Sequence, residues 1–184
     1  MAQNEVGLRL IFVYHFNHAP LYCSESQVKP MKLATLCYLH QDGKTLMLHR
    51  IKKANDMHAG KWNGLGGKLE AGESPEQCVI REVREESGLR IVQPRYHGLL
   101  LFANFKSEDW YVWVFSADQF GGQLIEPEES REGHLAWIPD DEVSSLPLWP
   151  SDLVFLPWLG TEKIFSARFQ YDDEQMLGHT VMFY

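Results

Sequence analysis

Cysteine and basic residues are both scarce in this sequence, and each shortage excludes a class of protein. The three cysteines are odd in number and share no CxxC spacing, so a disulfide framework or a zinc ribbon is not expected and a reducing cytoplasm fits better. Lysine and arginine number 17 against 25 aspartates and glutamates, which gives a formal net charge of -8. A chain this acidic lacks the basic footprint with which proteins grip a nucleic-acid polymer.

Long apolar runs are also missing. The early segment Leu8–Phe16 is apolar, but His15 interrupts it and no basic stretch leads into it, which makes it a weak signal-peptide candidate. The eight histidines include no HExxH pair of the kind that holds zinc. Hydrophobic residues make up 45% and charged residues 23% of the 184 residues, ordinary values for one soluble domain. We therefore expect a cytoplasmic protein that does not contact membranes.

The chain divides into an N-terminal extension, residues 1–30, and a domain, residues 31–184. A short apolar stretch in the extension predicts an added strand near Leu8–Tyr14, followed by a polar linker. The domain mixes strand-like runs with two helical segments, and an acidic loop is predicted over Gly121–Ser130. This mixture predicts one α/β domain. The predicted strands cover residues 32–40, 44–50, 95–105, 109–117, 134–138, 163–171 and 176–184.

Both helical segments have marked beginnings. The first follows the Gly-rich loop HAGKWNGLGGKLEAGE, with Ser74 as N-cap, Pro75 as first helical residue, Gln77 completing a capping box and Gly88 ending the helix. The second is a short helix predicted within PLWPSDLVFLPWL, with Trp-Pro at its start.

Three glutamates crowd one face of the first helix. Glu82, Glu85 and Glu86 lie three and four residues apart, where like charges repel by roughly 0.2–0.5 kcal/mol per pair. A solvated face, relieved by neighbouring arginines, is one interpretation. The other is a metal site, because clustered carboxylates with a backbone carbonyl suit a hard divalent cation such as Mg²⁺. The glutamates border a predicted apolar stripe, which consists of Val79, Ile80 and Val83.

The segment that contains these glutamates resembles the Nudix box at every fixed position. Gly67 is followed after five residues by Glu73, and after seven more by the run REVREESGL, residues 81–89. The resemblance implies the Nudix fold, a mixed β-sheet sandwiched between α-helices. It also implies Mg²⁺, with Mn²⁺ as a substitute, bound beside the diphosphate of a nucleoside diphosphate linked to another group.

The resemblance further implies roles for individual residues. Either Glu82 or Glu85 would be the general base, and the sequence does not separate them. Glu132, in the acidic loop EPEESREG, matches a further metal or catalytic acid, with a plain solvated loop as the competing interpretation. The implied metal ligands are the Gly66 carbonyl, Glu82, Glu85, Glu86 and Glu132. The implied structural residues are Gly67, Glu73, Arg81 and Gly88, with Glu73 and Arg81 as an ion pair.

Specificity has to come from outside the box. GKWNGLGGK before it and LWPSD after it resemble the branch of the family that hydrolyses oxidised purine nucleoside triphosphates. There is one departure, because the acidic pair expected after Trp-Pro is here Ser151 and Asp152. The implied substrate-binding residues are Thr35, Arg50, Asn63, Lys68, Phe102, Trp149 and Asp152. Core packing for Trp149 and Phe102, and a turn at Asn63, are competing interpretations of the same residues.

The resemblance therefore implies a Mg²⁺-dependent pyrophosphohydrolase that converts nucleoside triphosphates such as 8-oxo-dGTP into a nucleoside monophosphate and pyrophosphate. A Nudix hydrolase of another nucleoside diphosphate derivative, such as ADP-ribose, is the alternative, and Ser151 is its best support. A non-catalytic ligand sensor is less favoured, since a sensor does not need three intact glutamates. The expected partner is a small nucleotide, and the oligomeric state stays open.

Overall fold

The structure is a computed structural model that describes residues 31–52, 57–126, 130 and 132–184. Within these residues the helices are α1 (Pro75–Ser87) and α2 (Pro150–Phe155), and short 3₁₀ segments cover Val143–Ser145 and Leu156–Gly160. The strands are β1 (Met31–Gln41), β2 (Lys44–Arg50), β3 (Trp62–Asn63), β4 (Arg90–Ile91), β5 (Arg95–Phe105), β6 (Glu108–Ala117), β7 (Phe120–Gly121), β8 (Gly133–Pro139), β9 (Phe165–Asp173) and β10 (Gln175–Phe183).

Eight of these strands form one mixed sheet in the order β10-β9-β5-β6-β1-β2-β3, with β8 added along β2. The β1–β6 and β5–β9 pairs are parallel, and the other pairs are antiparallel. Strands β4 and β7 form a separate two-stranded sheet beside the end of α1. The predicted mixed sheet of an α/β domain is confirmed.

Alternation along β1 sends neighbouring side chains into two cores, one on each face of the sheet. Cys37 packs with Val79 and Val83 of α1 on one face. Tyr38 packs with Phe155 of α2 on the opposite face. The sheet is therefore covered by a helix on each side, as the sandwich arrangement requires.

Helix α1 begins and ends where the sequence predicts. The Ser74 hydroxyl accepts a hydrogen bond from the Gln77 N–H at 3.3 Å, and the Ser74 N–H donates to the Gln77 side chain at 2.9 Å. Gly88 ends the helix with φ 77, in the left-handed region that glycine adopts at low cost.

The predicted apolar stripe of α1 is wrong at one position. Val79 and Val83 are fully buried, whereas the Ile80 side chain is 41% exposed and Cys78 is buried instead. The buried side of α1 runs through residues at i, i+4 and i+7, which reach from Val79 to Glu86. Ile80 points to the solvent side that it shares with Arg84, four residues on, and Arg84 is exposed.

The short elements are the ones that the sequence did not predict. Strands β3, β4 and β7 are two residues long, too short to carry a period of apolar residues. The predicted strand near Leu8–Tyr14 and part of the predicted acidic loop lie outside the described residues. Within the described part of the chain, no helix combines the length and apolar character needed to cross a membrane.

Candidate active site

The loop before α1 is held against β1, and two of its glycines have no room for a side chain. The Thr35 N–H donates to the Gly67 carbonyl at 2.8 Å. A Cβ on Gly66, where φ is 146, would stand 2.2 Å from the Thr35 carbonyl oxygen. A Cβ on Gly67 would stand 2.4 Å from the Glu82 carboxylate. The glycines therefore let the loop backbone approach both the sheet and the acidic face of α1.

An arginine on α1 ties this loop to the helix. Arg81 donates from Nε to Glu73 Oε1 at 2.8 Å and from Nη2 to Glu73 Oε2 at 2.9 Å. Arg81 also donates to the Lys68 carbonyl at 3.1 Å. The hydrogen bonds from Arg81 to Glu73 lower the pKa of the Glu73 carboxyl to about 2. The ion pair expected from the sequence is thus present, and Arg81, in the second turn of α1, holds the loop at Lys68 and Glu73.

The three glutamates of α1 differ in their surroundings. Glu86 is buried and accepts a hydrogen bond from the Gly66 N–H at 2.8 Å, and burial raises the pKa of its carboxyl well above the usual range. Glu82 accepts from Arg81 at 2.7 Å, and burial also raises the pKa of Glu82. The Glu85 side chain is 60% exposed and lies 3.4 Å from Arg81. The carboxylates of one helical face therefore range from buried to solvated.

The structure brings Arg50, at the end of β2, together with Glu132, which directly precedes β8. Arg50 at the end of β2 lies opposite Gly133 at the start of β8, which sets Glu132 beside Arg50. Arg50 Nη1 is 2.5 Å from Glu132 Oε2 and 3.9 Å from Glu86 Oε1. Arg50 is largely buried in this position, because only 14% of its side chain is exposed.

The acidic cluster fits a hard divalent cation by chemistry. Glu82 is repelled by Glu85 and Glu132, and Glu86 by Glu132, so a cation would relieve several repulsions at once. No three His, Cys, Asp or Glu side chains among residues 31–52, 57–126, 130 and 132–184 already surround a common point. Two arginines engage these carboxylates, and a bound cation would have to compete with Arg81 and Arg50 for them.

One cavity of about 570 Å³ connects this acidic cluster to an aromatic pocket on the face of the sheet covered by α2. Glu82 and Glu132 line one part of it, together with Gly66 and Gly67. Glu85 and Glu86 are not among its lining residues. All seven predicted substrate-binding residues line the cavity, namely Thr35, Arg50, Asn63, Lys68, Phe102, Trp149 and Asp152. Their roles toward a substrate remain predictions.

Trp149 belongs to the core and to the cavity wall at once, so the two interpretations of this residue do not exclude each other. Its side chain is buried, and its indole Nε1–H donates to His58 Nδ1 at 2.9 Å. Phe105 contacts the Trp149 ring edge-on, with ring centroids 4.9 Å apart. The Lys61 ammonium lies 4.9 Å from the Trp149 ring centroid. Trp149 is therefore fixed on several sides.

Asp152 presents a buried carboxyl to the same pocket. Its Oδ2 accepts a hydrogen bond from the Trp149 N–H at 3.1 Å, in the first turn of α2. Burial raises the pKa of Asp152 to about 7, against the lowering effects of that hydrogen bond and of the Lys61 charge. Asp152 can therefore carry a proton near neutral pH.

Asn63 lies in β3, so its interpretation as a turn residue is wrong.

Several cavity residues were not predicted. Tyr171 could have been found from the alternation of β9, where every second residue is buried. His58 and Met57 lie in a loop, which carries no periodicity that would point them toward the site. The cavity residues that received no binding role in the sequence analysis are Ala34, Leu36, Met57, His58, Gly64, Phe105, Trp110, Val112, Ser151 and Tyr171.

Comparison with known proteins agrees with the family resemblance found in the sequence. A family model described as the NUDIX domain matches residues 30–159. The chain is 34% identical over 152 residues to a Danio rerio protein named oxidized purine nucleoside triphosphate hydrolase, covering 82% of this chain and 90% of that protein. It is 35% identical over 147 residues to the Mus musculus protein of the same name, covering 79% and 90%.

Solved structures show the same similarity. The mutator MutT protein of Bacillus halodurans superposes with a TM-score of 0.71 at 28% identity, covering 82% of this chain and 97% of that chain. The E. coli ORF135 protein superposes with a TM-score of 0.59 at 27% identity, covering 71% and 89%.

Proposed function

Because this chain belongs to the Nudix family of hydrolases, we propose that it is a Mg²⁺-dependent pyrophosphohydrolase of oxidised purine nucleoside triphosphates. Its products would be a nucleoside monophosphate and pyrophosphate. The general activity, hydrolysis of a phosphoric anhydride bond, follows from the family. The substrate and the metal are the parts that we propose.

One observation carries the proposal: a single cavity joins Glu82 and Glu132 to the aromatic pocket around Trp149. Its volume of about 570 Å³ lies within the range of small-molecule sites. A nucleoside triphosphate has a polyanionic end and an aromatic end, and this cavity offers a partner for each. The names of the fish and mouse relatives support the same substrate class.

At the acidic end, the residues that would hold a divalent cation are Glu82, Glu85, Glu86, Glu132 and the Gly66 carbonyl. When bound, the cation would neutralise phosphate charge and lower the pKa of a water molecule. Arg50 and Lys68 line the cavity beside this cluster and would contact phosphate oxygens. Their positive charge would offset the repulsion between the surrounding carboxylates and the phosphate groups of the substrate.

Glu82 is our first candidate for the general base. It lines the cavity, whereas Glu85 does not, and a general base has to reach the proton that it removes. The Arg81–Glu73 pair would act indirectly, by holding the loop that carries Gly66 and Gly67. Glu132 is the competing candidate, since it also lines the cavity.

At the aromatic end, Trp149 would stack on the base and Phe102 would form another part of the wall. Base–aromatic stacking stabilises binding by roughly 1–3 kcal/mol per base. Asn63 offers both a donor and an acceptor to a base edge, and Asp152 offers a carboxyl. Thr35 lines the same cavity, but its hydroxyl lies 3.3 Å from the Cys78 thiol of α1, on the side of the sheet away from the aromatic pocket.

A second candidate, a Nudix hydrolase of another nucleoside diphosphate derivative such as ADP-ribose, has one observation in its favour besides Ser151. The chain is 32% identical over 135 residues to a Stutzerimonas stutzeri protein named NAD-capped RNA hydrolase NudC, over 69% of this chain and 44% of that protein. Because the shared region is less than half of that relative, we rank this candidate second.

A substrate panel separates the two candidates. The purified full chain is incubated with Mg²⁺, and separately with Mn²⁺, and with 8-oxo-dGTP, dGTP, 2-hydroxy-dATP or ADP-ribose, and the products are resolved by chromatography. We expect 8-oxo-dGTP to give 8-oxo-dGMP and pyrophosphate with the highest kcat/KM. Release of phosphate and a nucleoside diphosphate would contradict the proposed bond cleavage. Preference for ADP-ribose would favour the second candidate.

The same panel needs a protein control. Glu82→Gln keeps the shape of the side chain and removes the charge, so it should fold and lose most activity. Glu142→Gln alters an exposed glutamate far along the chain and should behave as wild type. The buried thiols Cys37 and Cys78 are unpaired, and we propose a cytoplasmic location, where they would stay reduced.

A further inference from the structure

Two buried hydroxyl groups meet in the aromatic pocket. Tyr171 on β9 donates from Oη to Ser151 Oγ at 2.8 Å, and Ser151 lies in the first turn of α2. Both side chains are at least 98% buried, and both line the cavity. Ser151 is the position at which the sequence departs from the acidic pair of the branch that it resembles. The structure therefore supplies a hydroxyl pair at that point.

The hydrogen bond from Tyr171 decides what Ser151 can do for a ligand. A serine hydroxyl has one proton and two lone pairs, and Tyr171 occupies one of the lone pairs. The Ser151 proton remains available, and accepting one hydrogen bond strengthens a hydroxyl as a donor in a buried site. Ser151 is thus biased toward donating.

The neighbouring Asp152 adds a second hydrogen-bond donor when its carboxyl is protonated. Its carboxyl is buried in the first turn of α2, and burial raises its pKa to about 7. Below neutral pH the carboxyl carries a proton, and around neutrality a large fraction of it does. An ionised pair of carboxylates would instead offer acceptors. Ser151 and the protonated form of Asp152 together therefore present two donors to a group that enters the pocket.

We propose that Ser151, positioned by Tyr171, acts with Asp152 as a donor pair that selects purine nucleotides with an oxo group at C6 over those with an amino group there. The inference rests on the proposed function, because it takes the pocket to be the base site. An oxo group accepts hydrogen bonds from both donors. An amino group would face them with its own protons and leave buried donors unpaired.

The test compares 8-oxo-dGTP, which has an oxo group at C6, with 2-hydroxy-dATP, which has an amino group there. We expect wild type to favour the 6-oxo substrate by on the order of 10- to 100-fold in kcat/KM, the effect of one unpaired buried group. Tyr171→Phe and Ser151→Ala should each reduce this ratio several-fold, mainly through KM. Ser151→Asp, which restores a second carboxyl, should admit the 6-amino substrate.

A matched control removes a different hydroxyl from the same sheet. Ser116 is hydrogen-bonded to His97 at 2.7 Å and does not line the cavity, so Ser116→Ala should leave the ratio unchanged. Melting temperatures of all variants identify any that fold poorly. Because Tyr171→Phe and Ser151→Ala remove opposite ends of one hydrogen bond, a folding defect in either leaves the other to decide.

A binding measurement separates this inference from the proposed function. Dissociation constants for 8-oxo-dGMP and 2-hydroxy-dAMP are measured by calorimetry, which needs no turnover. If wild type hydrolyses neither triphosphate but binds the 6-oxo monophosphate preferentially, and Tyr171→Phe loses that preference, the proposed function fails and the donor pair stands. If wild type binds the two monophosphates equally, or if both variants keep the wild-type preference, the donor pair is overturned.

Discussion

Trp149 donates its indole N–H to Nδ1 of His58 at 2.9 Å, across 91 positions of the chain. The two rings lie nearly perpendicular, with centroids 6.0 Å apart. His58 must be neutral at Nδ1 to accept this hydrogen bond, and it fixes the rotation of a tryptophan that lines the cavity. The loop residue therefore orients the ring that we propose for base stacking.

His58→Ala should weaken nucleotide binding without changing the chemical step. Loss of one hydrogen bond corresponds to about 0.5–1.5 kcal/mol, which would raise KM by about 2- to 13-fold and leave kcat within about twofold. Steady-state kinetics with 8-oxo-dGTP measure both constants, and tryptophan fluorescence reports the ring environment. His40→Ala, which removes a histidine outside the cavity, is the control. A large fall in kcat with unchanged KM would contradict the orienting role.

Gly67→Ala should abolish most activity while the protein stays folded. The added Cβ would stand 2.4 Å from the Glu82 carboxylate, which would have to move. Displacement of a catalytic group by about 1 Å can cost on the order of 100-fold in rate. Gly160→Ala is the matched control, because nothing lies within 4 Å of its added Cβ. Full activity of Gly67→Ala would show that the Glu82 carboxylate does not need its present position.

The sequence was sufficient to predict the long strands and the helix that begins and ends with recognisable motifs. Strands β1, β5, β6, β9 and β10 are long runs rich in apolar, aromatic and β-branched residues, and α1 has a capping box and a terminal glycine, so their existence was predictable. Ile80 was assigned to the wrong side, because helical period alone does not say how wide the buried side is. The answer depends on how closely the sheet approaches α1, which only the packed structure shows.

The cavity shows that motifs identify only some of the residues that line a site. The residues from matching motifs, such as Asn63 and Trp149, were found in its wall. Tyr171 and His58 were missed: the alternation of β9 marks Tyr171 as buried but does not place it in the pocket, and His58 lies in a loop that belongs to no motif. The Tyr171–Ser151 hydrogen bond joins positions 20 residues apart, and the sequence has no pattern that pairs them.

Asp152 should make the protein less stable as pH rises from about 4 to neutrality. Its folded-state pKa is raised to about 7 by burial, whereas the unfolded chain keeps the ordinary value of 3.8. Between these values the folded state binds the extra proton, so the free energy of unfolding falls as pH increases from about 4 to 7. A shift of this size corresponds to at most about 4 kcal/mol.

Asp152→Asn measures that contribution directly. An asparagine oxygen can still accept from the Trp149 N–H, but it does not titrate. Urea unfolding at a series of pH values should show a steeper decline for wild type than for the variant between pH 4 and 7. Asp172→Asn, at an exposed position on β9, controls for general charge effects. Parallel pH profiles of wild type and Asp152→Asn would mean that Asp152 titrates normally.

Glu86→Gln should raise stability and remove the response to metal. Burial disfavours the Glu86 charge, and a glutamine oxygen can still accept the Gly66 N–H that Glu86 Oε2 now accepts at 2.8 Å. We expect the metal-free melting temperature to rise by about 2–4 °C for each kcal/mol gained. Added Mg²⁺ should raise the melting temperature of wild type and of Glu142→Gln, because a cation that binds only the folded state stabilises it. A rise of the same size in Glu86→Gln would contradict the assignment of Glu86 as a ligand.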